Sequence, residues 1–216
     1  MTKPEPRITD AAPLRYLLSV PDGAGTAEPL PVLVFLHGYN EGAPTDLRAG
    51  MTLHGPLRAG NPSVAEEFIV IAPQLPEQGD MWRGWDDEVR DIVLRVQAQH
   101  GGDPRRTYLT GFSYGGNGVF DIAILQPSVW AALWSVEPTR APERDPGLPV
   151  WLSAGELTRR RQSGFTNILH LERAGTEPFG DRVCTDEGLD HVATAAQAYG
   201  DERIYRWLLE RSRPPA

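Results

Sequence analysis

Ser113 stands in Gly111-Phe112-Ser113-Tyr114-Gly115, a serine with a glycine two residues to either side. A serine hydroxyl becomes a nucleophile only when a nearby base takes its proton, so this spacing directs attention to histidines. The chain has five: His37, His54, His100, His170 and His191. His37 follows an apolar run directly, His54 sits in a Gly/Pro-rich stretch, and His100 and His170 fall at or near helix ends. His191 lies in an expected loop after the last strand pattern and before the terminal helix pattern. It is the candidate base. The chemistry implied is attack on an electrophilic carbon, with charge collecting on the oxygen bonded to it. Two preorganised N–H donors would stabilise that charge. Tyr114, the residue after the serine, supplies one candidate amide. Tyr39, in Leu36-His37-Gly38-Tyr39-Asn40, supplies the other, which leaves His37 a structural residue that shapes the loop.

Positioning these groups requires a strand that turns sharply into a helix at Ser113. Arg106-Thr107-Tyr108-Leu109-Thr110 is β-branched and aromatic and predicts the strand. Gly116 to Leu125 carries Val119, Phe120, Ile122, Ala123 and Ile124 without proline and predicts the helix. Glycines beside the serine let strand and helix approach closely and tolerate a strained turn. Further strands are predicted at Leu14–Val20, Pro31–Leu36, Phe68–Ala72, Trp130–Val136, Pro149–Ala154 and Asp181–Thr185. The nearly continuous apolar runs among them suit strands covered on both faces. Helices are predicted at Asp86–His100, at Ser163–Arg173 with Ser163 as cap, and at Asp201–Arg211. Residues 41–62 read as a long loop with a short helix. Such alternation implies an α/β fold, with a mostly parallel central sheet and helices on both faces. Reactive groups in such folds gather at the carboxyl ends of the strands. Without an internal repeat or long linker, residues 1–216 read as a single domain, with 1–13 a loose N-terminal segment.

The motifs together resemble the α/β-hydrolase superfamily, and within it small bacterial esterases of the predicted-peptidase and phospholipase/carboxylesterase type. The likeness is carried by Phe35-Leu36-His37-Gly38 with Glu41 after it, His54-Gly55-Pro56, and Val70-Ile71-Ala72-Pro73-Gln74. It continues through Trp82, Arg106–Gly111, Ser113-Tyr114-Gly115-Gly116 and Tyr205-Arg206-Trp207-Leu208-Leu209. It spans most of residues 31 to 211 in the family's order. The resemblance implies an α/β-hydrolase fold and a nucleophile, acid and histidine in that chain order, with His191 as the late-loop base.

The pattern departs at the acid. The resemblance puts a carboxylate three residues past Gly155, where this chain has Thr158. Glu156, in the same loop, is the expected substitute. Glu137, at the end of a neighbouring strand, Asp186 and Asp190 are alternatives, as is a Ser–His dyad without an acid. Gly188-Leu189-Asp190-His191 also differs from a plain Gly-His pair. Trp82 and Trp85, in Met81-Trp82-Arg83-Gly84-Trp85, are candidate substrate-binding residues for an apolar or aromatic group. Packing against the following helix is the competing reading.

Composition narrows the function classes. The chain has 216 residues, 40% hydrophobic and 23% charged, with a formal net charge of −8. Acidity argues against a nucleic-acid partner, and the one basic run, Arg159-Arg160-Arg161, reads as a solvated helix start or loop in preference to an anion site. No window reaches membrane-span length, and a lone Cys184 is compatible with a reducing compartment, so a cytoplasmic location is expected. No metal-ligand motif or nucleotide cradle appears, so no cofactor is expected. The expectation is a serine hydrolase acting on a small-molecule ester or thioester through Ser113, His191 and Glu156, with the Tyr39 and Tyr114 amides holding the oxyanion. An acyltransferase or peptidase variant and a catalytically silent ligand-binding member are the rivals.

Overall fold

The computed structural model describes residues 5–10, 13–22 and 28–214. The apolar runs become strands. Among the described residues one sheet of nine strands forms, comprising β1 (Arg7–Thr9), β2 (Tyr16–Ser19), β3 (Leu30–Leu36), β4 (Ile69–Pro73), β5 (Gly102–Phe112), β6 (Ala132–Val136), β7 (Val150–Ala154), β8 (Glu172–Arg173) and β9 (Arg182–Asp186). Their spatial order is β1-β2-β4-β3-β5-β6-β7-β9-β8. β1 and β2 run antiparallel at one edge, and from β4 onward every pairing is parallel.

The continuous hydrophobicity of β3 follows from its central position. Val32, Val34 and Leu36 face one layer, shared with Val89, Ile92, Val93 and Val96 of α2 (Asp86–His100) and with Val119, Phe120 and Ile122 of α3 (Tyr114–Leu125). Leu33 and Phe35 face the other layer. There they share a core with Leu47 and Met51 of α1 (Leu47–Leu53), Ala195 and Tyr199 of α6 (His191–Tyr199), and Ile204, Trp207 and Leu208 of α7 (Glu202–Leu209). Side chains alternate across a strand, so a strand with cores on both sides has no polar positions to spare. Two short helices, α4 (Glu156–Arg159) and α5 (Gln162–Leu169), follow β7.

The structure differs locally from the sequence reading. Part of the expected loose segment 1–13 is the strand β1, paired to β2 through Arg7–Leu18 and Thr9–Tyr16. Ser163 lies inside α5, whose cap position is Arg161 with no side-chain cap bond. In place of the expected loop at His191, residues 191–199 form a helix, capped by the Asp190 carboxylate accepting from the Ala193 N–H at 2.8 Å. Its alanine-rich sequence has good helix propensity, but only half of its surface meets the core, so the hydrophobic period is faint.

Candidate active site

Strand β5 ends at Phe112 and α3 begins at Tyr114, leaving Ser113 alone at the bend with φ 59 and ψ −114. A positive φ is costly for a side-chain-bearing residue, and the surrounding close packing holds it there. A Cβ on Gly115 would come 1.8 Å from the Leu36 carbonyl oxygen, so at this position only glycine lets α3 start against the end of β3. The Ser113 N–H donates to the Val136 carbonyl at 3.0 Å, prolonging the β5–β6 ladder into the bend. The hydroxyl therefore stands at the carboxyl edge of the sheet.

One strand over, the same geometry recurs. Glu137 follows β6 with φ 48, and its N–H donates to the Ser153 carbonyl at 2.8 Å. Phe112 and Val136 are register partners, which makes Ser113 and Glu137 successive residues beyond adjacent parallel strand ends. His191 comes from the opposite end of the chain. Its Nε2 lies 2.9 Å from Ser113 Oγ, and its Nδ1 lies 3.7 Å from Glu137 Oε1. The latter is an ion-pair contact longer than a hydrogen bond, and among the described residues neither His191 Nδ1 nor Glu137 Oε2 has a hydrogen-bond partner. Contacts of this kind are often long until substrate binds. Phe112 holds the imidazole from the side, ring centroids 4.7 Å apart.

The carboxylate facing His191 is thus Glu137, and Glu156 is not within ion-pair distance of it. Glu156 instead opens α4, half-buried. The physical reason lies in the loop after β7, which has become the support for a carboxylate instead of its source. Glu137 is fully buried, and its Oε1 accepts from the N–H groups of Leu157 at 2.5 Å and Thr158 at 3.0 Å. Thr158 is itself buried and its hydroxyl reaches the Pro138 carbonyl at 3.3 Å. A Cβ on Gly155 would sit 2.1 Å from Glu137 Oε2, so that glycine makes the room. The other two acids are engaged elsewhere. Asp186 pairs with Arg159 at 2.5 Å, and Asp190 caps α6. Asn117, one turn into α3, ties down the chain after Glu137 by accepting from the N–H groups of Thr139 at 2.9 Å and Arg140 at 3.1 Å.

The loop after β3 closes the site from the other side. Tyr39 opens a single 3₁₀ turn, Tyr39–Glu41, and its ring meets that of Tyr114 edge-on, centroids 5.1 Å apart. A Cβ on Gly38 would lie 3.4 Å from Ser113 Cβ, so this loop runs directly alongside the serine. Tyr114 is the first residue of α3, where an N–H has no partner within the helix. The amides of Tyr39 and Tyr114 therefore belong to segments that flank Ser113. His37 is buried beneath them. Its Nε2 accepts from the Leu75 N–H at 3.0 Å, which makes Nδ1 the donor to the Gly38 carbonyl at 2.7 Å. Burial lowers its pKa to about 4, keeping it neutral. His37 is a structural residue of this loop.

The two tryptophans occupy packing positions. Trp82 is 1% exposed and donates its Nε1–H to the His37 carbonyl at 3.0 Å, with its side chain against Gly118 of α3. Trp85 is half-buried, packs on the core and donates to Asp80 Oδ2 at 3.0 Å. A cleft of about 110 Å³ opens beside Tyr114 and is lined by Met81, Trp82, Tyr114, Asn117, Asp121, Thr139 and Arg140. Trp82 reaches it, and Trp85 does not. Among the described residues, no group of three or more His, Cys, Asp or Glu could hold a metal ion. None of their helices is long and apolar enough to cross a membrane.

Comparison with solved structures finds the same fold in other proteins. A thermostable esterase matches with a TM-score of 0.72 at 20% identity, covering 98% of this chain and 64% of that one. This chain therefore spans about two thirds of that protein's length. S-formylglutathione hydrolase from Staphylococcus aureus matches with a TM-score of 0.68 at 16% identity, covering 97% and 98%. Acetyl xylan esterase from Aspergillus awamori matches with a TM-score of 0.61 at 15% identity, covering 94% and 98%. No curated protein matches in sequence. The model of the alpha/beta hydrolase family matches residues 33–215, a range that begins within β3 and takes in every later described strand and helix. The chain belongs to the alpha/beta hydrolase family.

Proposed function

We propose that this protein is a serine hydrolase that cleaves a small carboxylic ester or thioester through an acyl-enzyme intermediate. The observation that carries the reading is the 2.9 Å contact between Ser113 Oγ and His191 Nε2, made by residues 78 positions apart in sequence. In the first half-reaction Ser113 Oγ attacks the substrate carbonyl while its proton passes to His191 Nε2. The carbonyl oxygen becomes an oxyanion and accepts from the Tyr39 and Tyr114 amides. Collapse of this tetrahedral intermediate breaks the bond to the leaving alcohol or thiol, which takes the proton from His191. Water then attacks the acyl-serine, His191 again holding and returning the proton. Glu137 fixes the imidazole with Nε2 toward the serine and stabilises the imidazolium formed at each step.

The substrate class has two supports. The cleft beside Tyr114, at about 110 Å³, suits a small group. Among the similar structures one is named an esterase, one for a formyl thioester and one for an acetyl ester, and the last two names point to short acyl groups. The silent-binder reading drew on Thr158, and with Glu137 beside His191 that support falls away. The test is labelling with a fluorophosphonate probe together with hydrolysis of p-nitrophenyl acetate and a short-chain thioester. Wild type should label and turn over, and Ser113→Ala should do neither. A folded wild type that stays unlabelled and inert overturns the proposal.

A further inference from the structure

Of the basic run Arg159-Arg160-Arg161, the last two residues are exposed, while the Arg159 side chain reaches across to the neighbouring strand end. Arg159 closes α4, the single helical turn that follows β7. Its Nη1 donates to Asp186 Oδ1 at 2.5 Å and its Nη2 donates to the Leu189 carbonyl at 2.8 Å. One guanidinium therefore grips both ends of the turn 186–189, which leads from β9 to His191. The turn is also closed from within. Gly188 takes a φ of 77, and its N–H donates to the same Asp186 oxygen at 2.9 Å.

The segment 155–159 thus meets both members of the imidazole–carboxylate contact. On one side, the amides of Leu157 and Thr158 hold Glu137 Oε1. On the other, Arg159 holds the residues that precede His191. A Cβ on Gly155 would lie 2.1 Å from Glu137 Oε2 and 2.3 Å from Thr194 Oγ1, so the start of α4 is pressed between the carboxylate and the first turn of α6. The Asp190 carbonyl accepts from the Thr194 N–H at 3.0 Å and from its hydroxyl at 2.6 Å, which ties the gripped turn to the helix that carries the imidazole. Charge-assisted bonds from a planar guanidinium to two separate acceptors fix direction as well as distance. Any drift of Leu189 would pass to His191, two residues on, whose Nδ1 stands 3.7 Å from Glu137 Oε1.

We infer that Arg159 is a positioning residue for His191: its guanidinium fastens the 186–189 turn to the same helical turn whose amides hold Glu137, and so keeps the imidazole in register with the carboxylate. The inference rests on the serine-hydrolase reading. Arg159 acts through His191 and takes no part in the proton transfers. It also gives α4 a purpose, since this turn offers the imidazole no acid of its own yet joins the acid to the base.

The test compares three variants of the full chain. Arg159→Met keeps the apolar stem and removes both donors, whereas Arg159→Lys keeps the charge and gathers its donors on one nitrogen. Arg160→Met makes the same change of charge at the exposed neighbour. With p-nitrophenyl acetate, Arg159→Met should lower kcat by about 10- to 100-fold, the scale of a small misplacement of a reacting group, with KM within about threefold. The rate of fluorophosphonate labelling should fall in parallel. Arg159→Lys should lie only about three- to tenfold below wild type, and Arg160→Met should match it. A merely structural role would lower the midpoint of urea unfolding and leave kcat of the folded protein unchanged. Wild-type kcat in folded Arg159→Met therefore overturns the inference, as does a rise in KM alone or an equal loss in Arg160→Met. If Arg159→Met does not fold, the Arg159→Lys loss in kcat at constant KM carries the test, and wild-type kcat in that variant overturns the inference. An active wild type with unimpaired variants sinks this inference alone; an inert, unlabelled wild type sinks the catalytic reading with it.

Discussion

At the scale of single residues, the site turns on which carboxylate stands behind His191. Glu156 has the sequence position nearest to expectation, in the loop after β7, but that loop spends its amides on Glu137. A buried carboxylate needs such donors in place of water, and the two N–H groups supply them. Glu137 also has less freedom than a loop residue, because its backbone is fixed by the ladder bond to Ser153. The two acids therefore make opposite predictions. Glu137→Gln should lower kcat on p-nitrophenyl acetate by between about 10² and 10⁴, the upper end being the known cost of a neutral residue at a triad acid. Glu156→Gln should stay within about threefold of wild type. Steady-state kinetics on both folded variants decides, and the reverse order would remove Glu137 from the mechanism.

At the scale of elements, the decisive contact is between the start of α3 and the end of β3. Six buried apolar residues in β3 drive it into the centre of the sheet, and the glycines around Ser113 let the helix follow β5 without a longer loop. The approach at Gly115 is backbone to backbone, so no side-chain rotation can relieve an added methyl group. Gly115→Ala should cost about 3 kcal/mol or more of stability, an overpacking penalty at the top of its usual range. At Gly175 an added Cβ would meet nothing within 4 Å, so Gly175→Ala is the control and should change stability by less than about 0.5 kcal/mol. Urea unfolding followed by tryptophan fluorescence measures both. Similar midpoints for the two variants would refute the close-approach argument.

Stability as a function of pH belongs to the whole molecule. Folding buries His37 as a neutral ring with both nitrogens engaged and lowers its pKa to about 4. The unfolded chain takes up a proton near pH 6.5, and the folded one does not until the pH approaches 4. His37 therefore contributes stability that is fully present above about pH 6.5 and is lost as the pH falls toward 4. The loss attributable to this one group is roughly 3 kcal/mol over that window. Urea unfolding at steps from about pH 7.5 to about pH 4.5 should show the decline, and NMR of the His37 ring in the folded protein should show no titration above about pH 5. A ring that titrates near 6.5 in the native state would remove this contribution.

Much of the architecture was legible from local chemistry. Unbroken apolar runs mean strands with two covered faces, and the glycine frame of Ser113 means a strand meeting a helix at close quarters. Both are properties of a few consecutive residues, and both are present in the structure, as are the serine and the late histidine in contact. What local chemistry did not carry was the ranking of Glu137 against Glu156, the helix that begins at His191, and the burial of Trp82. Each depends on how separate strand ends curl toward one another at the sheet's edge, a matter of ångströms summed over distant segments. Residue order marked Ser113 and His191 as candidates, and packing between β6, β7 and α6 decided which acid lies beside the imidazole.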